Sequence, residues 1–95
     1  MIKVLQEVAN ERERQNARWG EQNHKFEKWV AILGEEFGEL CQAVCQTVIG
    51  SDEGKDGTDS IRQEAIHVAA VAVALVECLD RHKNQSFDCI LHYLN

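Results

Sequence analysis

The stretch "ILGEEFGEL", residues 32–40, decides how this chain is read. Its apolar residues suit a protein core, yet Glu35, Glu36 and Glu39 stand among them. Charged side chains are seldom buried without a partner. On a helix each residue advances by about 100°. Trp29, Ile32, Leu33, Leu40, Ala43, Val44 and Thr47 then share one stripe about 120° wide. Glu36 projects near the middle of that stripe. Glu39 lies at its edge, about 60° away, and Glu35 lies toward the polar side. One carboxylate therefore points inward and a second leans beside it. Two such groups repel each other and lose hydration. A hard divalent cation such as Mg²⁺ or Mn²⁺, which takes oxygen ligands, removes both penalties.

The second motif lies downstream. "RQEAIHVAAVAVALVECL", residues 62–79, is apolar nearly all round from Ala65 onward. A helix apolar on every side is buried on every side. Its polar interruptions, Glu64 and His67, are again three residues apart. They share a face with Val71, Ala74, Leu75 and Cys78. Ile61, Ala65, Val68, Ala72, Val76 and Leu79 form another. An antiparallel pairing of the two motif helices brings Glu36 and Glu39 near Glu64 and His67. The second face needs a partner that a small subunit lacks, which predicts a homo-oligomer, dimer or tetramer.

The rest of the chain fits one all-α domain over residues 1–95. There is no proline and only six glycines, which favours long helices. We expect helices over about 2–18, 25–49, 60–82 and 86–94. Gly20 ends the first, Asn23 caps the second, and Gly50 closes it. The first helix is expected to be mostly surface, because "NERERQNAR" reads as solvated. The segment 50–60 reads as a loop, with Asp59 or Ser60 capping the third helix. That loop is no calcium site: Gly54 and Gln63 fall where ligands belong.

Composition narrows the partners. The net charge of −6 gives no general attraction for nucleic acid or anionic membrane surfaces. The longest apolar run, residues 65–76, is too short to span a bilayer. The N-terminal residues lack a signal-peptide pattern, so a cytoplasmic location is expected. Cys41, Cys45, Cys78 and Cys89 form no CxxC pair and read as largely buried thiols.

Together these residues resemble a known family. "GEEFGEL" followed by "RQEAIH", with 24 residues between Glu39 and Glu64, is similar to the motif of the MazG-like all-α nucleotide pyrophosphohydrolases. That motif is E-E-x-x-E on one helix and E-x-x-D on the next. "RWGEQNH", residues 18–24, resembles the segment where dCTP-pyrophosphatase-like members carry a tryptophan and a histidine near the base. The resemblance covers about residues 15–82. It implies a four-helix bundle completed by oligomerisation. It also implies Mg²⁺-dependent hydrolysis of a nucleoside triphosphate to monophosphate and pyrophosphate, with Mn²⁺ as an alternative ion.

Carried over, Glu36, Glu39 and Glu64 would hold the metal. Glu35 would be a further ligand or the base that orients the attacking water, so Glu35 and Glu36 would be the catalytic pair. Trp19, His24, Lys83 and Asn84 would meet the substrate, and Lys28 is a further cation that could meet its phosphates. The chain departs from the family at His67, where the motif has aspartate. His67 either ligates the metal or holds a glutamate from behind. A catalytically silent nucleotide-binding or assembly protein is the alternative reading.

Overall fold

The computed structural model describes residues 1–48 and 57–83. Three helices occupy nearly all of them: α1 (Ile2–Trp19), α2 (Phe26–Val48) and α3 (Thr58–Arg81). The described residues contain no strand. The expected helix 86–94, the stop at Gly50, Cys89 and Asn84 lie outside the described residues.

Local chemistry sets the helix ends. Gly20 has φ 71° and ψ −170°, a conformation that only glycine adopts without strain. Its N–H donates to Asn16 O at 2.8 Å, closing α1. At the start of α2 the Lys25 carbonyl accepts from the N–H groups of Lys28 and Trp29, both at 3.0 Å. Asn23, expected as the cap, is engaged elsewhere. Its Oδ1 accepts from Arg81 Nη2 at 3.0 Å and lies 3.1 Å from His82 Nε2. It thereby ties the α1–α2 turn to the end of α3.

The third helix begins at Thr58, earlier than its sequence suggests, and no side chain caps it. Asp59 falls within the first turn instead, where its charge suits the positive end of the helix dipole. The start is set by contact. A methyl group at Gly57 would overlap Thr47, whose Cβ would lie 2.8 Å away. Only glycine lets the end of α2 approach the start of α3 this closely.

Helix α3 is the central element and packs against both others. Early α2 meets late α3, with Trp29 (2% exposed) buried among Val71, Ala74 and Cys78. Late α2 meets the start of α3 at Thr47 and Gly57, so the pair is antiparallel. Helix α1 runs parallel to α3. Glu7 pairs with Arg62, Glu11 approaches His67, and Arg12 bonds Glu77 at 2.7 Å.

Helix α1 is mostly exposed, as its polar sequence implies, and buries Val8 and Glu11. One sequence expectation changes here. Cys41 and Cys45 are exposed, and only Cys78 of the described thiols is buried. The first two face outward beside Val30, Phe37, Val44 and Val48, which are also exposed. The second α3 face is likewise incompletely covered, with Ala65 and Val76 exposed. No helix of the described residues is long and apolar enough to cross a membrane.

Candidate functional site

Where α2 and α3 cross below the Trp29 cluster, three polar side chains converge. Glu36 comes from α2, and Glu64 and His67 come from α3. One ligand atom from each lies within 4.8 Å of the others. All three are half-buried. His67 Nδ1 stands 3.4 Å from Glu64 Oε2, one helical turn away. Glu36 Oε2 and Glu64 Oε2 are buried and accept no hydrogen bond from any described residue. Buried carboxylate oxygens without donors are costly.

The electrostatics point the same way. Burial pushes the Glu36 carboxyl above its ordinary range, and the neighbouring Glu39 charge adds to it. Glu64 and Glu11 act in the same direction, and His67 opposes them. This corner of the molecule is short of positive charge. Two carboxylates and an imidazole are a donor set that a divalent cation fits.

The convergence follows from helical spacing. Glu36 sits in the buried stripe of α2, three and four residues beyond Leu33 and Ile32. Glu64 and His67 sit on the α3 face that continues through Val71 and Ala74. The antiparallel pairing then sets the two faces in register.

No protein-family model matches the chain, and no curated protein or solved structure is significantly similar to it.

A cleft of about 580 Å³ opens over Glu36 and His67, floored by α3 and walled by α1 and α2. Glu35, Glu36 and Glu39 line its α2 wall, and His67 lies in its floor. Glu35 and Glu39 are exposed, outside the tight cluster but in the same cleft. Trp19 is also in the lining and is 56% exposed. Of the other expected substrate contacts, His24, Lys28 and Lys83 are described and none lines the cleft. His24 is buried edge-on against Trp29, with ring centroids 4.8 Å apart. Lys28 and Lys83 are exposed and do not line the cleft.

One member of the site is not evident from the sequence. Glu11 of α1 is 7% exposed, and its Oε2 lies 3.8 Å from His67 Nε2. It also pairs with Arg14 and accepts from Gln15 Nε2 at 3.4 Å. His67 is thus held between Glu64 and Glu11. The available signal is spacing: Glu11 and Gln15 follow Val8 at helical intervals, on the one buried face of a polar helix.

Proposed function

We propose that this chain is a divalent-cation-dependent nucleotide pyrophosphohydrolase of the MazG-like all-α type. One observation carries the reading. Glu36, Glu64 and His67 converge from two antiparallel helices, with buried carboxylate oxygens that accept no hydrogen bond from a described residue, and Glu36 and His67 line an open cleft.

Glu36, Glu64 and His67 would hold the cation, with Glu39 reaching it from the same wall. When bound, such an ion neutralises phosphate oxygens and stabilises the charge that develops on them. The protein's own groups then supply position and proton transfer. Glu35 stands on the cleft wall, where its carboxylate orients a water and accepts its proton. The water oxygen attacks the α-phosphorus, and the bond to the bridging oxygen breaks. Nucleoside monophosphate and pyrophosphate leave. Glu11 keeps His67 in place from the side facing α1, and Glu64 does so from within α3.

Exposed apolar residues support self-association. Phe37 is 57% exposed, in line with Val30, Val44 and Val48 on α2. We infer that a second copy of the chain covers this surface, giving a homodimer or homotetramer.

A second reading is favoured by a specific residue. Histidine stands where the resembled motif has a hard oxygen ligand, which suits a protein that binds nucleotide without cleaving it. The decisive assay incubates purified protein with a panel of NTPs and dNTPs, in Mg²⁺ and then Mn²⁺, and identifies the products. Monophosphate plus pyrophosphate supports the enzyme. Inactivity throughout, with no Mn²⁺ bound by the wild type, sinks it. Nucleotide binding without turnover selects the second reading.

A further inference from the structure

The wall of the cleft opposite Glu35, Glu36 and Glu39 carries two arginines beside Glu11. Arg14 and Arg18, four residues apart on α1, both line it, and Trp19 lies beside them. The chain is acidic overall, with only ten lysines and arginines, and two of them face this one cleft. Arg14 is partly engaged and Arg18 is not. Arg14 pairs with Glu11 through Nε and Nη2, while its Nη1 donates to no described residue. Arg18 makes no hydrogen bond or ion pair with any described residue. Its guanidinium instead lies over the Trp19 ring, with Cζ 4.7 Å from the centroid. A guanidinium over an indole face keeps N–H groups available for a ligand.

The opposite wall explains the need. Glu35, Glu36 and Glu39 give the cleft a negative side that repels a polyanion. A ligand entering there needs a cation on one side and fixed positive charge on the other. Arginine suits the second task, because its planar fork matches phosphate oxygens two at a time.

We propose that Arg14 and Arg18 grip the phosphate chain of the ligand, and that Trp19 positions Arg18 for that task. This deepens the nucleotide reading and rests on it for the identity of the ligand. It moves phosphate recognition from Lys28 and Lys83 to α1, and it makes Trp19 a support for an arginine rather than a platform for the base.

The test titrates tripolyphosphate into the full chain by calorimetry, with and without Mn²⁺. Mn²⁺ binding is followed separately by electron paramagnetic resonance. Arg14→Gln and Arg18→Gln are each expected to weaken tripolyphosphate about tenfold, the scale of one lost charge-assisted hydrogen bond. Mn²⁺ affinity without phosphate stays unchanged in Arg18→Gln, whose side chain pairs with no residue of the cation site. Lys3→Gln, which removes the same charge from the exposed start of α1, changes tripolyphosphate binding less than about twofold. Trp19→Leu weakens it severalfold, and Trp19→Phe restores it. A non-hydrolysable nucleoside triphosphate run in parallel separates nucleotide from free polyphosphate: tighter binding than tripolyphosphate supports the nucleotide.

Unchanged affinity in both arginine variants overturns the proposal. So does an equal loss in Lys3→Gln, which would mean bulk charge alone, or a wild type that binds no tripolyphosphate under either condition. A wild type that binds tripolyphosphate but no Mn²⁺ sinks the metal reading alone, and the arginine assignment is then read from the metal-free titration.

Discussion

Glu11 Oε2 stands 3.8 Å from His67 Nε2, so α1 contributes a carboxylate beside a cluster that α2 and α3 build. Every helix of the described fold therefore reaches the site. Glu36 is half-buried there, and its neighbours include three other carboxylates.

The Glu36 carboxyl is held above its ordinary range, first by burial and then by Glu39. The folded chain therefore binds this proton more tightly than the unfolded chain. The resulting penalty is absent below the ordinary carboxylate range. It grows as pH rises through the ordinary value and is complete above the folded one. Metal-free Glu36→Gln is expected to melt above the wild type at neutral pH and close to it in acid. Mn²⁺ raises the melting temperature of the wild type and not of the variant. A variant that melts lower at neutral pH contradicts this account.

His67→Asp exchanges an imidazole for a hard oxygen ligand. Metal preference is expected to move from Mn²⁺ toward Mg²⁺. Competition of Mg²⁺ against bound Mn²⁺, read by electron paramagnetic resonance, checks the shift. An unchanged Mg²⁺:Mn²⁺ selectivity would place His67 outside the ligand set.

Trp29 fills the centre of the apolar cluster, but its Nε1 is buried with no acceptor among the described residues. Trp29→Ala is expected to cost about 3–5 kcal/mol, by lost burial and the cavity left behind. Trp29→Phe is expected to cost far less, because it also removes an orphaned donor that costs roughly 1–3 kcal/mol. Urea denaturation of the two variants measures the gap, and equal losses would refute it.

Gly57 allows α2 and α3 to meet at Thr47. Gly57→Ala pushes a methyl group into that side chain, so the backbones must separate. A loss of about 1–3 kcal/mol is expected, as for an overpacked core. Thr47→Ala in the same chain recovers part of it, because the overlapping hydroxyl and methyl are gone. Thermal melts of the single and double variants decide the point.

Phe37 projects from the outward face of α2. If a second copy covers that face, Phe37→Glu buries a charge against apolar surface and separates the copies. Light scattering should then report a smaller species of undiminished helical circular dichroism. A wild type that is already monomeric would remove the premise.

Much of the fold is legible in the amino-acid sequence. The glycine at position 20 and the spacing around Glu36 place α1 and the inward carboxylate of α2 correctly. Glu64 and His67 fall on the buried face of α3 that their spacing implies. Asn23 misleads, because a polar residue before a helix satisfies the rule for a cap whether or not a distant arginine claims it. Cys41 and Cys45 mislead because apolar composition does not say which face of α2 a lone subunit covers.

Local residue types and periodicity by themselves determined three things: that the described residues are mostly helical, where α1 stops, and that Glu36 shares a face with apolar residues. These are properties of one helix about its own axis, and local residue types carry them. Only the tertiary structure decided that Glu11 belongs beside His67 and that Arg14 and Arg18 face the carboxylates across a cleft. On a polar helix such as α1, a charge that will be buried and a charge that stays in water occupy equivalent positions. Docking against α3 breaks that equivalence, because it chooses which side of α1 loses water.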